Sequence, residues 1–267
     1  MEYFGGFRKE TVMKLYFLGT CSGTEPMEGM HHTSTVLESN GCYYWFDAGE
    51  CCSHTAYLLG IDVLKTRAIF FSHMHIDHTG GLANLLFCIQ KMIARGKGTP
   101  KFDPIPIYSP DSEVIRAAKC MASNNRIESL GYMTEEIQTQ DGVLYEDENI
   151  RVAALHNRHL REDGTNGWHS FSFLVECEGK RIVLSGDVAS PEELLPLMVG
   201  GCDLLSMETG HHKVLDVCEF AKRNAIPRLR FTHHGREILG DRDGAERLIE
   251  SYPFDIRLAF DGMIEEL

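Results

Sequence analysis

Long apolar runs are missing from this 267-residue sequence. None approaches the roughly 18 to 20 residues that a helix needs to cross a bilayer, and the N-terminal stretch MEYFGGFRKETV lacks the apolar centre of a signal peptide. No membrane partner is expected, and the expected location is the cytoplasm. Paired CxxC cysteines are missing too. The nine cysteines, an odd number scattered from Cys21 to Cys218, read as reduced small hydrophobes, and the adjacent pair Cys51-Cys52 reads as a packed helix start. Basic clusters are few and short, KMIARGKGTPK at 91–101 being one, and 39 acidic residues oppose 26 basic ones for a net charge of −13. A long polyanion is drawn to clustered Lys and Arg, so nucleic acid is disfavoured as a routine partner. Low-complexity segments, repeats and Ser/Pro-rich linkers are also lacking, which argues for one domain over 13–267. Met13 opens the first strand-like run, so residues 1–12 are expected to form a disordered leader.

What is present is an alternation of element types. Strand-like runs occur at 13–19, 33–38, 42–47, 68–72, 105–109, 171–176, 181–186, 203–207, 228–232 and 256–260, and VAAL before His156 reads as one more. Helical periodicity lies between them at 82–94, 112–122, 191–199, 214–224 and 245–252. This is an α/β chain with two strand-rich halves.

One stretch carries the chemistry: FFSHMHIDHTGG, residues 70–81. Unpaired imidazoles and a carboxylate are costly to bury unless something binds them. His73 and His75 follow a buried strand and, two apart, project to one side of extended chain, so they can share a metal. Asp77 and His78 come as the chain turns and aim elsewhere, which suits a second metal. Imidazole nitrogen and carboxylate oxygen are zinc ligands, and two close metals can activate one hydroxide between them.

With this HxHxDH pattern the chain resembles the metallo-β-lactamase superfamily of metallohydrolases, nearly end to end. FLGTCSGTEP at 17–26, HHTSTVLE, WFDAG at 45–49 and AFDGM at 259–263 resemble its ribonuclease Z-like branch. The resemblance implies a four-layer αββα sandwich, two packed mixed sheets with helices outside. It implies that His73, His75 and His156 hold one metal, that Asp77, His78 and His233 hold the other, and that Asp187 of VLSGD bridges them. His159 and His169 are weaker candidates for the place of His156, and His234 for that of His233. Asp47 would close a strand beside the site, and His31 and His32 would lie near the cleft without binding metal. In SMETGHH, Glu208 would orient His211 as proton donor, with His212 as fallback, although a short polar run there is also an ordinary helix start.

The expected activity is metal-dependent phosphodiester hydrolysis through a hydroxide bridging two divalent ions, zinc by expectation, with manganese or iron also accepted by this N/O ligand set. Asp77, Glu208 and His211 are the expected catalytic residues. Only a loop and two strands fit between His156 and Asp187, leaving no room for the arm with which the branch grips tRNA. A small or cyclic phosphodiester is therefore the expected substrate. Ribonuclease Z-type tRNA 3′ cleavage, lactone or thioester hydrolysis, and a non-catalytic metal-stabilised binding or redox module are the alternatives. A homodimer is the default expectation for such an enzyme.

Overall fold

In the first strand, Leu15 and Phe17 point to one side and Tyr16 and Leu18 to the other, and all four are buried. A strand apolar on both faces must be covered on both, and the layers follow from that requirement. The computed structural model describes residues 13–160 and 167–267; the expected leader, residues 1–12, lies outside the described residues.

The N-terminal half supplies β1 (Lys14–Gly19), β2 (Ser34–Ser39), β3 (Cys42–Phe46), β4 (Thr66–Phe70), β5 (Ile105–Ser109) and β6 (Thr134–Gln138), with helices α1 (Cys52–Leu58), α2 (Ile76–Thr79), α3 (Leu82–Ala94) and α4 (Ser112–Ala122). The second half supplies β7 (Gly142–Glu146), β8 (Ile150–His156), β9 (Phe171–Cys177), β10 (Lys180–Leu184), β11 (Leu204–Glu208), α5 (Val214–Arg223), β12 (Arg228–Thr232), α6 (Arg236–Gly240), α7 (Arg242–Ile249), β13 (Asp255–Leu258) and β14 (Ile264–Glu266). Two seven-stranded sheets result, ordered β14-β1-β2-β3-β4-β5-β6 and β13-β12-β11-β10-β9-β8-β7. Each is antiparallel over one part and parallel over the other, hence mixed.

Between the sheets lies an aromatic core. The rings of Phe46 and Phe70 stack with centroids 5.0 Å apart, and both meet Phe173 of the opposite sheet, at 5.7 and 6.1 Å. Outside the first sheet, α3 turns Leu82, Leu85, Leu86 and Ile89 onto Trp45, Ile69 and Phe71, the one-face spacing of a 3.6-residue helix. Outside the second, α5 does the same with Val214, Val217, Cys218 and Ala221. The architecture is the αββα sandwich that the resemblance implied, and among the described residues no helix is long and apolar enough to cross a membrane.

The differences from the sequence reading have local causes. The run 191–199 forms a 3-10 helix, Pro191–Met198, because Pro196 inside it has no N–H to donate. The helix expected at 245–252 starts earlier, at Arg242, where the Asp241 side chain accepts from the Gly244 N–H. β6, β7 and β14 were not anticipated; all three are sheet edges.

One buried ion pair joins the sheets. Arg230 on β12 is 0% exposed, and its guanidinium donates to both carboxylate oxygens of Glu265 on β14, at 2.9 and 2.6 Å, and to Asp255 at 2.6 Å. Removing one partner strands a desolvated charge, so Glu265→Ala should lose about 3–5 kcal/mol of stability. Denaturant unfolding of the variant against the wild type measures this, and an unchanged midpoint would remove the pair from any role in holding β14.

Candidate metal centre

The polar side chains gather where strands of both sheets end on the same rim. β4 ends at Phe70, β8 at His156 and β10 at Leu184, and His73, His159 and Asp187 each stand three residues further on. His233 follows β12 directly and Glu208 closes β11. Two conformations there are strained for residues with a Cβ: Asp47 at φ 59° and His233 at φ 46° lie in the left-handed region. Gly186, at φ 55°, fits between strand end and Asp187, since a Cβ there would stand 2.7 Å from the Phe171 carbonyl oxygen.

Among the described residues three overlapping donor groups form, the third, Asp187 with His211 and His233, sharing Asp187 and His233 with the other two. In the first, His73 Nε2 lies 3.0 Å from His75 Nδ1, His159 Nε2 lies 3.4 Å from the same atom, and Asp187 Oδ2 stands 3.8 Å from His73 and 3.6 Å from His159. In the second, Asp77 Oδ2 lies 3.5 Å from His78 Nε2 and 3.2 Å from His233 Nε2, and Asp187 Oδ1 is 3.4 Å from both rings. Four donors on a tetrahedron with bonds of about 2.1 Å are about 3.4 Å apart, so His73, His75, His159 and Asp187 have the spread of one zinc-like ion, and Asp77, His78 and His233 give three donors of a second. Asp187 gives one oxygen to each set.

The donor chemistry passes a further test of fit. His78 Nε2 and Asp187 Oδ1 are fully buried and have no hydrogen-bond partner, an arrangement that is costly unless a cation sits between such groups. Charge says the same. Burial pushes the His73 ring well below its usual pKa, while at His78 and His233 burial is outweighed by Asp187 and neighbouring carboxylates, which push His233 up to about 9. Burial opposes ionisation of Asp187, yet His233 and His78 hold it well below the carboxylate range. The carboxylates demand positive charge at this point.

A second layer fixes the rings. Asp47 Oδ1 accepts from the Ser72 N–H at 2.8 Å, and its Oδ2 accepts from the Ser72 hydroxyl and from His78 Nδ1, each at 2.8 Å. With Nδ1–H so engaged, Nε2 of His78 presents its lone pair to the centre. Glu208, 1% exposed, accepts from the backbone N–H of His211 at 2.9 Å and from its Nδ1 at 3.0 Å. This hydrogen bond raises the pKa of the His211 ring, which lines the cleft beside Asp187. Neither histidine of the GHH run caps α5, whose first N–H, on Val214, goes to Glu237 at 3.0 Å. His212 instead donates to the Val188 carbonyl at 2.9 Å.

His73, His75, Asp77, His78, Asp187 and His233 are thus brought together, and His156 is not. Its Nδ1 meets Asp141 at 2.6 Å and its ring stacks on Trp168 with centroids 3.8 Å apart. His156 is still part of β8 and cannot turn over the rim; His159, past the turn, takes the place that the resemblance gave to His156. Among the described residues His169 does not join either set, and it lies beside Trp168. His234 donates Nε2–H to the Ala259 carbonyl at 2.8 Å, and burial lowers its pKa to about 4, so it stays a neutral structural ring. His31 pairs with Asp261 at 3.0 Å and His32 lies 3.5 Å from Glu50, outside both sets. The sequence reading also missed Ser72 as the residue that holds Asp47, a contact between residues 25 apart that spacing does not reveal.

Fold and paired site together define a metal-dependent hydrolase of the metallo-β-lactamase superfamily, on its ribonuclease Z-like side. Ribonuclease Z of Methanothermobacter thermautotrophicus is 30% identical over 83% of this chain and 86% of its own length, and ribonuclease Z of Shouchella clausii is 25% identical with the same coverage. Among solved structures, the metallo-β-lactamase fold protein YhfI of Bacillus subtilis superposes with a TM-score of 0.73 at 20% identity, covering 96% of this chain and all of that one. The short form of human tRNase Z gives 0.70 at 22% identity over 94% and 98%. The family model described as Anti-Pycsar protein Apyc1 matches residues 13–212, and the chain belongs to that family.

The exchange of histidines can be checked directly. His159→Ala should lower the content of bound divalent metal, while His156→Ala should leave it unchanged; elemental analysis after dialysis reads both, and the reverse result would restore His156.

Proposed function

We propose that the protein hydrolyses a small or cyclic phosphodiester with two divalent ions, zinc before manganese or iron. The observation that carries this reading is that Asp187 turns one oxygen to each of two donor sets. His73, His75 and His159 would hold one ion, Asp77, His78 and His233 the other. Held there, the ions would supply a water acidified toward a pKa of about 7 and offset charge on the phosphate oxygens.

The chain's own groups do the rest. Asp187 keeps the two positions at a fixed separation, and Asp47 keeps His78 turned toward them. Glu208 occupies Nδ1–H of His211, leaving Nε2 to carry the proton that passes to the leaving oxygen. This gives Asp77 a place in the nucleophile's half of the reaction and Glu208 with His211 the leaving group's half.

Cleft size and lining support a small substrate. The cleft, about 290 Å³, is near the lower end of the range for small-molecule sites, and is lined by Ser22, Gly23 and the polar groups of the centre. Among the described residues no apolar side chain lines it, which disfavours the acyl pocket that a lactone or thioester hydrolase needs. From His159 to Asp187 the chain is taken up by residues 160–170, β9 and β10. With a net charge of −13, this supports a small diester over tRNA. The likeness to ribonuclease Z over most of its length supports tRNA 3′ cleavage as the second reading.

Turnover of metal-reconstituted protein on bis-p-nitrophenyl phosphate, 2′,3′- and 3′,5′-cyclic nucleotides, a lactone and a precursor tRNA separates these. Cleavage of small diesters with tRNA left intact is expected, and accurate tRNA 3′ cleavage would reverse the preference. Asp77→Ala should stay folded, with reduced metal content and little turnover. His211→Ala should keep both ions while kcat falls roughly 10²–10⁴-fold; an unchanged kcat would remove it from proton transfer.

A further inference from the structure

We infer that Asn157 is a positioning residue, setting His159 relative to Asp187 through a buried relay of side chains beneath the centre. The inference rests on the reading of His159 and Asp187 as ligands of one ion.

Asn157 is 1% exposed and both ends of its amide are used. Its Oδ1 accepts from the His159 backbone N–H at 3.1 Å, closing the local turn by which an Asx side chain replaces a backbone partner. Its Nδ2 donates to Ser172 Oγ at 3.1 Å, and the Ser172 hydroxyl donates to the Ser185 carbonyl at 2.5 Å. Ser185 stands two residues before Asp187. The relay thus crosses from the end of β8, over β9, to the end of β10, and its two ends are the segments that carry His159 and Asp187.

The backbone supports the same turn from the other side. Asn157 N–H donates to the Ser170 carbonyl at 2.9 Å, and Ser170 Oγ accepts from the Leu160 N–H at 3.1 Å. The loop ends are therefore anchored whether or not the amide is present. What the amide adds is the distance between two strand ends, one on each side of β9. A ligand set tolerates little slack, because each donor must sit within a few tenths of an ångström of its place. Outer groups that orient ligands typically change metal affinity roughly 10- to 100-fold when removed.

Titration of the metal-free full-length protein with zinc, and separately with manganese, against a competing chelator tests this. His159→Ala identifies which of two affinities belongs to the first donor set. Asn157→Ala should weaken that affinity roughly 10- to 100-fold and the other by less, since the two sets have only Asp187 in common. Asn157→Asp keeps the acceptor for His159 but faces Ser172 with an oxygen in place of the donor, so it should weaken the same ion as Ser172→Ala does. Ser172→Ala, which touches no donor group, should weaken the same ion, and combining it with Asn157→Ala should add little. It also covers the case in which Asn157→Ala fails to fold. A fall in melting temperature with both affinities intact in Asn157→Ala or Ser172→Ala would make the amide merely structural and overturn the inference alone. Wild-type protein that binds no divalent ion would overturn the metal reading, and this inference with it.

Discussion

Four carboxylates, those of Asp47, Asp77, Asp187 and Glu208, are buried at one rim of this sandwich, and the rim is built around meeting their charge. An ionised carboxylate out of water needs donors or cations on every lone pair. Asp47 finds its donors on Ser72 and His78, and Glu208 finds its own on His211, with Val188 N–H at 3.3 Å. Among the described residues Asp77 and Asp187 meet imidazoles, at distances longer than a good hydrogen bond for most pairs. A cation held by these residues would meet the charge that the protein leaves open.

That arrangement requires both sheets. β4 brings His73 from one and β10 and β12 bring Asp187 and His233 from the other, so the aromatic core of Phe46, Phe70 and Phe173 is also what holds the two donor sets at a common separation. The left-handed backbone at Asp47 and His233 is the local cost of aiming these side chains inward from strand ends.

The part of the site legible in the sequence was the part encoded locally. HMHIDH carries four donors within six residues, and its spacing alone sends two pairs to two places. His159 was harder to read because a strand and a turn separate it from everything that fixes its position. VAAL marks β8 correctly, but the strand runs on through His156, whose ring turns to Trp168. The offset shared by His73 and Asp187, three residues past a strand end, shows only in the structure; with strand ends read at 72 and 186 the shared offset is one residue, which points to His156. The unread strands, β6, β7 and β14, are edges, where charged residues such as Glu135, Glu136, Glu265 and Glu266 replace the apolar alternation of inner strands. Interior strands such as β5 and β12 were legible to the residue, because both faces are covered.

β14 pairs with β1 and places Glu265 against Arg230, so residues 264–266 stand beside residues 14–16 in the finished sheet. A ribosome delivers residues 14–16 long before residues 264–266. β1 must wait, with one hydrogen-bonding edge open, until residues 264–266 have left the ribosome. Early in translation that edge is the exposed surface a chaperone would have to shield, and any cut that frees residues 264–266 would reopen it.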